Sequence, residues 1–188
     1  MFKLGTLACI SLLFTVNCAR IVMTPPQATL ENAQKLRASN MSTVQLGDFT
    51  LGPGLRADDD ASMSMRGGNS VKPPQGSFTQ YMKATLEEEL RAAGLLDAKS
   101  TLIITGSLVA TELHTNIGTA TGFVKAHFTV TRDGKVRFDR ELTAEDRWDS
   151  SFIAAIAVPA AANHYQGLYR KIVEVLIDDK DFQAAVAK

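Results

Sequence analysis

Apolar positions recur at helical spacing in two long stretches of the chain and alternate at strand spacing in four others. In "GSFTQYMKATLEEELRAAG", Phe78, Tyr81, Met82, Leu86, Leu90 and Ala93 fall on one helical stripe. Ser77 and Gln80 stand at capping-box spacing before it, and Gly94 follows as a C-terminal stop, so a helix over 78–93 is predicted. Toward the C-terminus, Ala161, Ala162, Tyr165, Leu168, Tyr169, Ile172, Val173 and Leu176 repeat the pattern behind Pro159, which suits a first helical turn. Asp178 or Asp179 is placed to cap a last short helix through Phe182 and Val186, and Thr29 to cap one carrying Leu30, Ala33 and Leu36.

Strand spacing begins at "STVQLGDFTL", with Val44, Leu46, Asp48 and Thr50 on one face and Phe49 and Leu51 on the other. In "STLIITGSLVATEL", Leu102, Ile104, Leu108 and Ala110 face one way and Ile103, Val109 and Leu113 the other. Apolar residues on both sides predict a central strand covered, at least in part, on both faces. "FVKAHFTV" and "KVRFDREL" read as a hairpin. A two-residue Asp133-Gly134 loop would pair Val130 with Arg137 and Phe128 with Asp139, which sets charges opposite the apolar face. A three-residue Arg132-Asp133-Gly134 loop pairs Val130 with Val136, Phe128 with Phe138 and Val124 with Leu142, and is the expected register. Arg140 then interrupts the face near its rim.

The stretch "GPGLRADDDASMSMRGGNSVKPPQG" reads as a Gly/Pro/Asp/Ser-rich loop with room for a short strand around Ser62–Arg66. Its length marks it as mobile or functional. The order strand, loop, helix, strand, hairpin, helix predicts an α+β fold: a small, mostly antiparallel sheet with two main helices packed on one face.

The N-terminal residues change where this domain is expected to reside. Lys3 precedes an uncharged run from Leu4 to Val16, a length suited to a secretory signal and short for a spanning helix of about 20 residues. The run ends at Cys18. "LLFTVNCAR" resembles a bacterial lipoprotein signal, which implies cleavage before Cys18 and acylation, palmitate included, on that residue. Asn17 and Thr15 depart from the commonest residues of such signals; plain secretion and an uncleaved anchor are the other two readings. Cys9 lies inside the apolar run, so after cleavage Cys18 is the sole cysteine, with no disulfide or cysteine-based metal site open to it. Ala19 after the cysteine implies, by resemblance to lipoprotein sorting, the periplasmic side of the outer membrane. The expected organisation is a signal peptide over 1–17, a lipidated N-terminus and tether over 18–42, and a single α+β periplasmic domain over 43–188.

Lys and Arg number 20 and Asp and Glu 20, and no basic block appears, so nucleic acid is not an expected partner. His114, His127 and His164 lack metal-ligand spacing and read as ordinary surface or helix-end residues. Asp58-Asp59-Asp60 lacks calcium-loop spacing and reads as a solvated acidic turn. No G-x-S-x-G elbow frames the serines of "WDSSF", and Arg66-Gly67-Gly68 lacks the lysine of a phosphate loop. Neither catalytic residues, a metal nor a cofactor is expected. Small residues from Ala154 to Ala162 suit close packing of a helix on the sheet. The other reading is a partner-docking surface rimmed by Trp148, Phe152 and Tyr165.

Taken together, "GSFTQYMKATLEEELRAAGLLDAKSTLIITGSL", "FTVTRDGKVRFDREL" and "RWDSSFIAAIAVPAAANHYQGLYRKIVEVLIDDKDF" resemble a group of uncharacterised Gram-negative lipoproteins. The resemblance spans roughly Thr43 to Ala185. The architecture is similar to YajG-type lipoproteins and, more distantly, to auxiliary lipoproteins of envelope (ABC) transport systems. It implies an envelope location and no known enzyme activity. The expected function is that of a non-catalytic, lipid-anchored binding or assembly accessory with an envelope protein as partner. A carrier of lipid or another hydrophobic ligand is the alternative, requiring an apolar cavity between helices and sheet. An envelope-polymer hydrolase, requiring a cluster of ionisable groups in a cleft, is a third.

Overall fold

The structure, a computed structural model, describes residues 19–188. It is α+β with two sheets. A four-stranded sheet has the order β2 (Gln45–Leu51), β5 (Leu102–His114), β6 (Gly118–Arg132), β7 (Lys135–Ser150). Neighbours are antiparallel except β2 and β5, which run parallel. A smaller sheet has the order β1 (Arg20–Val22), β4 (Ser70–Lys72), β3 (Met63–Ser64). Helices α3 (Phe78–Ala93) and α4 (Ala154–Asp178) pack on one face of the large sheet, α3 against β2 and β5 and α4 against β6 and β7. Three short helices, α1 (Leu30–Ala38), α2 (Ala57–Ala61) and α5 (Lys180–Val186), complete the body.

The helix ends follow local chemistry. Thr29 Oγ1 accepts from Asn32 N–H at 3.1 Å, Ser77 Oγ from Gln80 N–H at 3.0 Å, and Asp179 Oδ1 from the N–H groups of Asp181 and Phe182. The Ser77 box is half formed, because Gln80 Nε2 donates to the Phe49 carbonyl at 3.0 Å instead. Gly94 stops α3 with φ of 75°, a backbone shape that suits glycine. Helix α4 starts at Ala154, so Pro159 lies inside it and not in its first turn. The ring forgoes the bond its N–H would make to the Ala155 carbonyl.

The strands depart from the expected faces at three bulges. On β7 the turn is the two-residue Asp133-Gly134, both with positive φ (51° and 74°), as a type I′ hairpin needs. Arg137 is then bulged out, so Val130 pairs with Phe138, Phe128 with Arg140, Ala126 with Leu142 and Val124 with Ala144. The expected three-residue loop is therefore wrong. The bulge, not a longer loop, returns Phe138 to the core and leaves Val136 outside, 60% exposed. On β5, Val109 bulges, which turns Thr111 and Leu113 onto the same buried face as Leu108. On β2, the irregularity between Leu46 and Phe49 lets both Val44 and Phe49 point inward. The Phe49 ring lies against Gly106, where a Cβ would come within 2.7 Å of it. The sheet is covered on one face only: Ile104, Leu108, Val124, Ala126, Phe128 and Val130 are buried, while Thr105, Ser107, His127 and Thr129 look out.

The expected tether is also corrected. Strand β1 pairs with β4, α1 packs on α3 and α4, and Met23, Leu36 and Met41 are buried. The Gly/Pro-rich loop supplies β4, β3 and α2 of this layer; the expected short strand is Met63–Ser64. Apolar residues at Met23, Ala33 and Leu36 give this arm an inward stripe, and burying it holds the arm down.

Candidate functional site

Tyr165 and Trp148 do not rim a surface. Tyr165 is fully buried: its hydroxyl lies 2.7 Å from Thr111 Oγ1 and 3.1 Å from the Tyr169 hydroxyl. Burial pushes both phenols above their ordinary range, so they stay neutral. They form an aromatic cluster with Phe78 and Tyr81 where α3 meets α4. Tyr81 donates to the Thr24 carbonyl at 3.0 Å, and burial pushes its phenol up to about 12. Trp148 is also buried, stacked on His164 with ring centres 4.3 Å apart, and its Nε1 has no partner among the described residues. Of the three residues expected on a docking rim, Phe152 alone is exposed, at 77%. The small-residue run divides likewise: Ala157, Val158, Ala161 and Ala162 pack inward, while residues 152–156 are exposed.

The ionisable groups are largely engaged in holding the fold. His164 Nδ1 lies 2.7 Å from Asp146, His127 Nε2 2.6 Å from Asp139, and His114 Nε2 2.9 Å from Glu112, at three separate places. Among the described residues, no group of three or more His, Cys, Asp or Glu is placed to hold a metal. The acidic run is more than a solvated turn. Asp59 accepts from Arg56, which holds its carboxyl below the usual range. Asp60 Oδ1 accepts from Thr79 N–H and Oγ1, both at 2.8 Å, and so caps α3.

Sequence reasoning missed Glu89, which is fully buried. It accepts from Thr29 N–H at 3.0 Å, from Thr29 Oγ1 at 3.1 Å and from Asn32 Nδ2 at 3.2 Å. The carboxylate closes the N-terminus of α1 and ties the arm to α3, so its lone pairs are occupied structurally. The signal was available: Glu89 stands three residues after Leu86 and seven after Met82, on the apolar stripe.

An apolar group gathers at one end of the large sheet. Gly118 pairs with Ser150, so the β5–β6 and β7–α4 connections adjoin. Arg66 bridges them: its N–H donates to Thr115 Oγ1 at 2.8 Å and its guanidinium to the Ser151 carbonyl. Asn69 Nδ2 donates to the Arg66 carbonyl at 2.8 Å, while Asn69 Oδ1 accepts from Ala19 N–H at 2.7 Å. The exposed side chains here are Ile117, Phe152, Ile153 and Ile156.

The chain shares its fold with protein XCC0632 from Xanthomonas campestris. That structure, of the DUF330 family, superposes with a TM-score of 0.55 at 12% identity, over 88% of this chain and 93% of that one. A putative lipoprotein from Caulobacter crescentus matches at TM-score 0.43 and 9% identity over 82% of this chain and 93% of its own. A minor lipoprotein from Acinetobacter baumannii matches at 0.44 and 8% over 77% and 92%. No family model and no curated protein matches the chain. At such identity the likeness to XCC0632 is one of fold.

Clefts lie at the periphery. One of about 480 Å³ opens between α1 and α5, lined by Lys35, Leu36, Met41, Ile177 and Phe182 among others. The interface of α3 and α4 with the sheet is filled by Phe78, Leu86, Leu108, Phe128, Tyr165 and Leu168, all buried. No helix among the described residues is long and apolar enough to cross a membrane. Cys18, the expected lipidation site, lies outside the described residues.

Proposed function

We propose that the protein is a non-catalytic lipoprotein, acylated on Cys18 and held at the periplasmic side of the outer membrane. There it serves as a binding or assembly accessory of an envelope complex. The observation that carries this reading is the junction at Ala19. Cys18 follows an uncharged run in the sequence and directly precedes Ala19, which is hydrogen-bonded to Asn69 and Ser70. A cysteine at that junction is a natural attachment point for acyl chains, and two or more chains give stable anchoring. Anchoring confines the body to the membrane surface and raises its effective concentration toward partners confined there too. The carrier reading is not favoured, because the helix–sheet interface that would hold an acyl chain is filled by packed side chains.

The test is mass spectrometry of the mature protein from bacterial envelopes. The expected species begins at Cys18 and carries diacylglyceryl and amide-linked acyl groups, and Cys18→Ser abolishes it. A mature chain that begins elsewhere, or carries a free Cys18 thiol, contradicts the proposal.

A further inference from the structure

Seven large apolar side chains are exposed among the described residues, and four of them, Ile117, Phe152, Ile153 and Ile156, stand at the one end of the sheet where Ala19 is bound. Single exposed apolar residues need no explanation, but a cluster does. This one is also built. Arg66 fixes both loops that carry it, and Ser151 Oγ accepts from Ile153 N–H at 3.0 Å to shape the turn into α4. The opposite end of the sheet carries the Asp133-Gly134 turn flanked by Arg132, Lys135 and Arg137, a charged rim.

We infer that the Ile117–Phe152–Ile153–Ile156 end is a membrane-contact surface, seated in the boundary between headgroups and acyl chains of the bilayer that anchors the protein. The inference rests on the anchored reading above. The occupant follows from where the chain leaves the body. Ala19 is hydrogen-bonded to Asn69, which in turn holds the Arg66 that braces this end, and the proposed attachment point, Cys18, is the next residue in sequence. With residues 19–41 packed down, no slack separates attachment point and body. The bilayer that receives the acyl chains therefore meets these four side chains first. Short apolar groups entering the interfacial region are a recognised mode of peripheral binding.

The test is spin labelling of the full, processed protein in vesicles of phosphatidylethanolamine and phosphatidylglycerol. Phe152→Cys, Ile156→Cys and Ile117→Cys report this end, and Val136→Cys reports the other. In the acylated chain the introduced thiol is the free one, since Cys9 and Cys18 are the only native cysteines. The expected result is an oxygen-to-nickel-chelate accessibility ratio several-fold higher at 117, 152 and 156 than at 136. Equal, water-like ratios at all four overturn the inference. Labels shielded from both reagents also overturn it, since they mean that a protein covers the surface. The mass of the same sample separates the two readings. Acylated protein with water-like labels sinks this inference alone, whereas protein without acyl groups sinks the anchored reading and this inference with it.

Discussion

At the Asp133 end of the large sheet, Phe138 is buried edge-on against Phe182, and the rim beyond it is charged. At the Ile117 end, Phe152 stands 77% exposed with three isoleucines around it. Both ends are braced by an arginine that reaches across elements. Arg140 pairs with Asp179 at 3.0 Å and with Asp181, closing α5 over the sheet. Arg66 instead spans two loops and leaves their apolar side chains outside. The same residue types finish the domain in water at one end and leave it unfinished at the other. An unfinished apolar end, at the point where the chain departs, is what a second solvent would complete.

The sharpest way to break this comparison is to truncate one phenylalanine at each end. Phe138→Ala should cost about 3–5 kcal/mol in urea unfolding, as removal of a buried aromatic does. Phe152→Ala should change stability by less than about 0.5 kcal/mol; equal losses would show that Phe152 packs in solution. Arg66→Ala should cost about 1.5 kcal/mol, the low end for a charged hydrogen bond because the side chain is half-exposed. It should also speed amide exchange at residues 115–117 and 151–153 while leaving 133–136 unchanged. Gly134→Ala, at φ of 74°, should cost about 1 kcal/mol and act only at the turn end.

Asp139→Asn should give the smallest effect. Hydrogen bonds from His127 and Thr129 hold this carboxyl below its ordinary value of 3.8. A lowered carboxyl stabilises the fold above that value, and the contribution is lost as pH falls through the lowered one. The group is exposed, so solvent screens it. Below pH 3.8 the wild-type stability profile should steepen slightly against that of Asp139→Asn in acid unfolding curves; parallel curves would remove these hydrogen bonds from the account.

Helices α1, α3 and α5 were legible because their end signals are local, whereas α2 and the start of α4 were not. Ser77, Gly94, Thr29 and Asp179 act within four residues of themselves, and each stands where the sequence places it. Register was not legible, because a bulge is decided by what the strand must cover. Nothing near Arg137 or Val109 says that one residue is extra; the burial of Phe138 and Leu113 does. Tyr165 misled for a similar reason. A tyrosine suits a docking rim and a core equally, and the deciding partner, Thr111, is 54 residues away. The expected tether failed because β1 pairs with β4 across 50 residues. Phe152, expected on a docking rim, is exposed, but its exposed neighbours Ile117, Ile153 and Ile156 were not part of that expectation.

The central claim is that the body sits on the bilayer at its Ile117 end, with no tether between. Neutron reflectometry of the acylated protein on a supported bilayer tests it most directly. A free segment over residues 19–41 would allow a water-filled gap of up to about 80 Å. The account predicts protein density that begins within the headgroup layer, with no hydrated gap. A resolved water layer between the headgroups and the protein would contradict it.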